Sequence, residues 1–299
     1  MKADCHMHMA LDGVDWKAAV AKGCRQPEEV VRKTLQVYRD KGYTYLRDGG
    51  DRWGLACLAK TLAPEYGITY RMPGAPLCRM GHYGMFIGEG FDSVQDYVRL
   101  VKKQIATGAD FIKIMASGIM DFHAFGVVTD TPRELALLRE LVKIAHEEGL
   151  AVMVHANGQE AVMAAAVAGA DSVEHGAYCN EEALSAMAET GAVWVPTLSA
   201  VGNLLKGFDP TSVSFADTFS PGRSLGRFEE EAVRAILEDT TEKVGLFLGL
   251  GGLVAAGTDA GAWAVPHGCG TEEGYLYAAG AKVEDLAKGL EKIRKTMDN

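Results

Sequence analysis

Short apolar runs alternate with longer helix-like segments along almost the whole chain, and this alternation restricts the fold more than any other feature. Eight runs have the length of a strand and precede Gly, Asp, Asn or Pro: residues 2–6, 43–47, 68–71, 111–115, 151–155, 172–174, 193–196 and 253–256. The helix-like segments, several of which stop before a glycine, span residues 27–41, 92–107, 131–148, 159–168, 180–190, 228–248 and 272–297. This order predicts an α/β fold, a parallel (β/α)8 TIM barrel that forms a single domain over residues 1–299. A doubly wound sheet is the alternative.

The composition of the chain argues against nucleic acids and membranes as binding partners. The chain has 299 residues, a net charge of −10 and 48% apolar residues, so it can bury a large core and has no electrostatic reason to bind nucleic acid or anionic membranes. Its longest apolar stretch, residues 244–257, is glycine-rich and shorter than the roughly 20 residues that cross a bilayer. The start lacks an apolar signal segment, and the six cysteines form no CxxC motif. We therefore expect a cytoplasmic protein with reduced thiols.

Two histidines lie two residues apart in the first predicted strand. Residues at this spacing point to the same side of a strand, so His6 and His8 would present two imidazoles to one metal ion. The HxH pattern alone is weak, because two polar residues at a frayed terminus would look the same.

A lysine interrupts the apolar fourth strand. Lys113 stands between Ile112 and Ile114, and burying an unpaired ammonium group is costly. Either a nearby acid pairs with it, or it has captured CO2 as a carbamate, an anion whose two oxygens can bridge two cations.

Three further candidate ligands follow predicted strands. His155, His175 and Asp259 come at the ends of the fifth, sixth and eighth strands, where barrel active sites assemble. Separately, each histidine could be a core residue and the aspartate a helix cap. With His6, His8 and Lys113, however, they make six candidate ligands at strand ends, which favours a site for zinc, manganese or iron.

The motifs around these residues occur in one order along the chain. They are His6-Met7-His8, Gly42 to Gly50 (GYTYLRDGG), Gly81-His82-Tyr83-Gly84, Ile112 to Gly118 (IKIMASG), His155-Ala156-Asn157-Gly158, Glu174-His175-Gly176, Pro196-Thr197 and Gly257 to Gly261 (GTDAG). In these motifs the chain resembles the amidohydrolase superfamily of metal-dependent hydrolases. The similar branch contains Xaa-Pro dipeptidases and arginine carboxypeptidase-like and imidazolonepropionase-like proteins.

The resemblance implies a binuclear centre of two divalent metal ions, zinc above all, with manganese or iron as other choices. His6, His8 and Asp259 would hold one ion, His155 and His175 the other, and a carboxylated Lys113 would bridge them. The implied activity is hydrolysis of an amide bond in a small-molecule substrate, a dipeptide or an N-acyl amino acid.

The same resemblance offers roles for catalytic and binding residues. Asp259 would accept the proton of the attacking water and deliver it to the leaving amine. Tyr178 would stabilise the carbonyl oxygen, unless it is an exposed loop residue, and His82 would bind a substrate carboxylate, unless it is structural. Arg79 and Arg223 are further candidates for that carboxylate.

Some features depart from the resemblance or lie outside it. Relatives carry a small β-sandwich built from segments before the first strand and after the last helix, and we expect this chain to lack it and to cover the exposed barrel surface as a homo-oligomer. We expect residues 10–26 to form part of the substrate pocket and the irregular stretch 198–224 to act as a lid. Arg47 and Asp48 are expected to form a structural ion pair under the site.

Two other functions remain open at this point. The same barrel could hydrolyse a lactone, a cyclic amide or urea, or a phosphoester, or the chain could be a metal-binding protein without catalytic activity.

Overall fold

The computed structural model describes residues 1–131, 134–205 and 229–297. Its strands are β1 Lys2–Met7, β2 Tyr43–Asp48, β3 Thr69–Arg71, β4 Leu77–Arg79, β5 Glu89–Phe91, β6 Phe111–Met115, β7 Ala151–Ala156, β8 Ser172–His175, β9 Val193–Val195 and β10 Leu253–Val254. The helices are α1 Trp16–Arg25, α2 Pro27–Asp40, α3 Leu55–Leu62, α4 Val94–Ala106, α5 Leu135–Glu147, α6 Gln159–Ala168, α7 Glu181–Thr190, α8 Ser199–Leu205, α9 Glu230–Gly249, α10 Glu272–Ala278 and α11 Val283–Met297. Within these ranges, every helix is too short or too polar to cross a lipid bilayer.

The strands form two sheets, and within the described residues every pair of neighbouring strands in them runs parallel. One sheet has the order β1-β2-β3 and the other β10-β9-β8-β7-β6-β4-β5. Backbone hydrogen bonds join β1 to the segment after β10: Cys5 N–H donates to Ala256 O at 2.9 Å, and Asp259 N–H donates to His6 O at 2.7 Å. The predicted α/β fold with a parallel sheet is confirmed.

The central strands of the larger sheet, β6 to β9, are buried on both faces. All side chains of β6 and β7 are buried, which is the pattern of parallel strands covered by helices on one side and packed inside the fold on the other. The main apolar cluster packs these strands against α4 to α7, with Trp194 of β9 meeting Phe247 of α9 edge-on at 5.5 Å between ring centroids. This packing fixes where each strand ends.

The sequence explains several helix boundaries. Ser93 caps α4 by accepting a hydrogen bond from Asp96 N–H, and Asn180 caps α7 by accepting one from Ala183 N–H. Helix α6 ends at Gly169, whose φ of 87° is a left-handed conformation that glycine adopts without a steric penalty. Such caps keep the connections short and bring each helix back onto the sheet.

The structure also contains elements that the sequence pattern did not predict. They are α1, α3 and α8 and the three-residue strands β4 and β5, and the single helix expected over residues 272–297 is divided into α10 and α11. Three-residue strands are too short to show an apolar period. Helix α8 also corrects part of the irregular stretch expected over residues 198–224, since residues 199–205 are helical; residues 206–224 lie outside the described residues.

Candidate metal centre and cavity

The structure brings the six candidate ligands to one side of the sheets. His6 lies in β1, Lys113 in β6, His155 in β7 and His175 in β8, and His8 and Asp259 directly follow β1 and β10. Because neighbouring parallel strands end on the same side, ligands that are far apart in sequence meet there.

His6, His8 and Asp259 form a compact cluster of potential ligand atoms. One atom from each of the three lies within 4.8 Å of the other two. Asp259 Oδ1 is 3.5 Å from His6 Nε2 and 3.4 Å from His8 Nε2. His8 Nδ1 is buried and has no hydrogen-bond partner among the described residues. Two imidazole nitrogens and a carboxylate oxygen are donors that suit zinc, so these residues fit a metal ion.

A buried carboxylate orients His6. Glu174 Oε2 accepts a hydrogen bond from His6 Nδ1 at 2.7 Å, which leaves Nε2 as the nitrogen that faces Asp259. Glu174 Oε1 accepts from Ser172 Oγ at 2.6 Å and from Arg47 Nη2 at 2.8 Å. Burial raises the pKa of the Glu174 carboxyl, while the Arg47 charge opposes that rise. The sequence analysis assigned no role to Glu174. The available signal was the two-residue spacing between Ser172 and Glu174, which places both side chains on one face of β8.

Arg47 does not pair with Asp48 as expected. Arg47 donates to Glu174, whereas Asp48 Oδ2 accepts from Met9 N–H at 3.0 Å and from the hydroxyl of Tyr70. The expectation was wrong because adjacent residues in a strand point to opposite faces.

Lys113 is almost fully buried beside the three-ligand cluster. Its Nζ donates to His6 Nε2 at 3.1 Å, and no carboxylate of the described residues lies within 4.0 Å of it. Burial lowers the pKa of the Lys113 ammonium to about 8, so a substantial part of the amine is neutral near physiological pH.

His155 of β7 and His175 of β8 contact each other. Their ring centroids are 4.5 Å apart, and the His175 ring is 5.1 Å from that of His6. His175 Nδ1 forms a 2.7 Å hydrogen bond with Thr197 Oγ1, and His155 Nε2 lies 3.0 Å from Gly118 O. Burial lowers the pKa of His175 to about 4 and that of His155 well below its usual value. Both imidazoles are therefore neutral at pH 7, the form that binds metal ions.

Three residues of the site have left-handed backbone conformations. The φ angles are 67° at His175, 52° at Thr197 and 58° at Asp259. Residues other than glycine rarely adopt these angles, so the surrounding hydrogen bonds must stabilise the backbone at these three positions. The conformations turn the chain sharply at the strand ends and aim the polar groups inward.

The ligands face a cavity of about 370 Å³. His8, Lys113, His155, His175 and Asp259 line its base. Its walls are mostly apolar and include Leu11, Val14, Trp16, Phe86, Phe122 and Trp263. Three of these wall residues belong to the segment 10–26 that was expected in the pocket. Trp16 of α1 meets Phe86 edge-on at 5.6 Å between ring centroids.

Tyr178 and His82 lie away from this base. The Tyr178 ring packs edge-on against Phe125 at 5.2 Å, within an apolar cluster that flanks the cavity. His82 Nδ1 is 2.9 Å from Asp130 Oδ1, and with Arg79 it lines a neighbouring hollow of about 550 Å³. Arg223 lies outside the described residues.

The chain is similar to known proteins over most of its length. The sequence model of the amidohydrolase family matches residues 42–262. Ochratoxinase of Aspergillus niger is 29% identical over 237 residues, which cover 66% of this chain and 47% of that protein, so the chain spans about half the length of the curated relatives it matches.

Solved structures share the fold. A Xaa-Pro dipeptidase with methionine bound in its active site superposes with a TM-score of 0.73 at 21% identity, covering 99% of this chain and 75% of that one. The A. niger ochratoxinase structure gives a TM-score of 0.70 at 23% identity, covering 96% of this chain and 68% of that one.

Proposed function

The chain belongs to the amidohydrolase family, and on this premise we propose that it is a metal-dependent hydrolase of amide bonds in a dipeptide or an N-acyl amino acid. The observation that carries the proposal is that His6, His8 and Asp259 converge beside a buried lysine at the base of a mostly apolar cavity. The names of the relatives agree with it, since they include a dipeptidase and prolidases.

The proposed centre holds two divalent ions, zinc or otherwise manganese or iron. His6, His8 and Asp259 would bind one ion, and His155 and His175 the other. Lys113 would bridge them as a carbamate, which forms when its neutral amine bonds to the carbon of CO2 and releases a proton. The lowered pKa of Lys113 supports this step, because only the neutral amine reacts. The ions would supply Lewis acidity and a hydroxide nucleophile at neutral pH.

The protein's own groups orient the reaction. Glu174 holds His6 in the tautomer whose Nε2 faces the site. Asp259 is placed to accept a proton from the attacking water and to return it to the leaving amine. From the resemblance, His82 is proposed for a substrate carboxylate, and a single substitution tests that role. Tyr178, which the resemblance suggests for the carbonyl oxygen, does not line the cavity and is not carried into the proposal. The apolar walls favour a substrate with a bulky apolar group next to the scissile amide.

The proposed architecture is one domain in which the two parallel sheets close into a (β/α)8 barrel. The hydrogen bonds from Cys5 to Ala256 and from Asp259 to His6 support closure between the first and last strands. Between the two sheets on the other side, Asp110 N–H donates to Met72 O at 2.8 Å.

The test is a hydrolysis screen of protein reconstituted with zinc and bicarbonate, against dipeptides and N-acyl amino acids, with released amine as the readout. We expect two metal ions per chain and an Asp259→Asn variant that loses about 100-fold or more in kcat. Fewer than one metal per chain, or full turnover by Asp259→Asn, would contradict the proposal. Turnover of lactones, ureas or phosphoesters instead of amides would show that the chain catalyses a different hydrolytic reaction. Metal binding without any turnover would indicate a non-catalytic protein.

A further inference from the structure

Tyr83 lines the cavity, whereas its neighbour His82 does not. It follows β4 in the loop that closes one side of the cavity, and it lines the cavity together with the candidate ligands. Its ring stacks on the imidazole of His155, with ring centroids 5.1 Å apart and an angle of 29° between the planes. Phe86 also packs against the Tyr83 ring, with ring centroids 5.6 Å apart. The Tyr83 ring therefore lies in the cavity wall next to one of the candidate ligands.

The backbone at Tyr83 is held from two sides. Asp130 Oδ2 accepts a hydrogen bond from Tyr83 N–H at 2.6 Å, and Asp130 Oδ1 lies 2.9 Å from His82 Nδ1. Gly84 has a φ of 104° and approaches β6 so closely that an added Cβ would be 2.7 Å from Met115 Cγ. This arrangement turns His82 outward to Asp130 and Tyr83 inward, so a rigid loop positions the phenol.

The Tyr83 hydroxyl is free to bind a ligand. It has no hydrogen-bond partner within residues 1–131, 134–205 and 229–297. A phenol is a hydrogen-bond donor at neutral pH and usually finds a partner when it is enclosed by apolar walls. Tyr178, the tyrosine suggested by sequence, packs against Phe125 and is not among the residues that line the cavity.

We propose that Tyr83 donates a hydrogen bond from its hydroxyl to the oxygen of the scissile carbonyl, and that Tyr83 rather than Tyr178 stabilises the negative charge that develops there. The inference rests on the proposed amide hydrolysis. As the water oxygen bonds to the carbonyl carbon and its proton passes to Asp259, the C=O π electrons move onto the oxygen. Tyr83 stabilises that charge and keeps its own proton. When the electrons return, the C–N bond breaks and the amine takes the proton from Asp259.

The test compares Tyr83→Phe with Tyr178→Phe, because each change removes one phenolic oxygen and keeps the ring. The zinc-loaded variants are assayed on the best amide substrate of the native protein, with metal content and melting temperature measured on the same samples. For Tyr83→Phe we expect kcat to fall about 100-fold, with KM changed less than about threefold, since the interaction belongs to the transition state. Tyr178→Phe should keep kcat within about threefold of the native value.

A second readout separates a catalytic role from a structural one. A phosphonate that replaces the scissile carbonyl by a tetrahedral phosphorus should bind Tyr83→Phe more weakly by about the same factor as the loss in kcat/KM. Undiminished kcat in Tyr83→Phe, or a large loss confined to Tyr178→Phe, would overturn the inference while leaving the hydrolase proposal intact. A native protein that hydrolyses no amide would overturn both.

Discussion

Replacing Arg47 with methionine should destabilise the protein far more than replacing Arg32 with methionine. Both arginines bind carboxylates at short range, Arg47 at 2.8 Å from Glu174 and Arg32 at 2.6 Å from Glu65. The side chains of Arg47 and Glu174 are 0% exposed, whereas those of Arg32 and Glu65 are 36% and 55% exposed. The pair of variants therefore compares one ion pair in the core with a similar one in water.

The expected loss in the free energy of unfolding follows from the polar groups that lose their partner when Arg47 is replaced. Its loss removes the counter-charge of the buried Glu174 carboxylate and the donors to Cys5 O and Ser172 Oγ. Breaking a buried ion pair at one end costs about 3–5 kcal/mol. For 299 residues the unfolding entropy is about 0.6 kcal/mol per kelvin, so the melting temperature should fall by about 5–8 °C. An exposed pair contributes about 0–1 kcal/mol, or less than about 2 °C for the Arg32 variant.

The free energy of unfolding is measured by urea unfolding and the melting temperature by heating. Both are monitored by circular dichroism in the presence of a chelator, so that metal binding does not add to stability. Without Arg47, burial should raise the pKa of Glu174 further, and a raised carboxyl pKa costs stability as pH rises through it. The deficit of Arg47→Met should therefore shrink as the pH falls through the raised pKa of Glu174, where protonation neutralises the carboxyl that has lost its partner. Equal losses in the two variants, or a deficit that grows in acid, would refute the reasoning.

Three further predictions address the site and the packing around it. His8→Ala should lower bound zinc, measured by elemental analysis, by about one ion per chain, and an unchanged metal content would refute its role. Gly289→Ala should lower the urea midpoint, because a Cβ there would overlap a backbone carbonyl oxygen of β10, whereas Gly274→Ala, with open space around it, should leave the midpoint equal or higher. The hydrogen bond that His146 Nε2 donates to Asp171 Oδ2 raises the pKa of His146, so this pair adds stability below about pH 6.5 that is lost as pH rises through the raised pKa. The stability advantage of the native protein over His146→Gln should therefore disappear at alkaline pH, and a pH-independent difference would argue against the pair.

Strand ends were predictable from sequence because their chemistry is local. A buried strand reads as an apolar run; His6, His155 and His175 stand at or near the end of such runs, and Lys113 interrupts one. Parallel topology then brings these ends together without further information. The cytoplasmic location and the homo-oligomer remain predictions.

The contacts between strands were not predictable in the same way. The pairing of Arg47 with Glu174 joins residues 127 positions apart, and no local pattern marks them as neighbours. The choice between His82 and Tyr83 depends on the dihedral angles of a loop that is held by Asp130. Helix α1 was missed as an element even though its segment was expected in the pocket, since it is short and has a single fully buried residue, Gly23.

The left-handed backbone at His175, Thr197 and Asp259 has a consequence for laboratory evolution. Each such residue costs about 1 kcal/mol or more relative to glycine, which adopts these angles freely. A selection for heat resistance alone would therefore enrich glycine at these positions, and Thr197→Gly would relieve strain while releasing His175 Nδ1. Thermostable variants found in this way would be more stable but catalytically inactive. Selections that retain turnover should instead gather their stabilising substitutions at a distance from the strand ends.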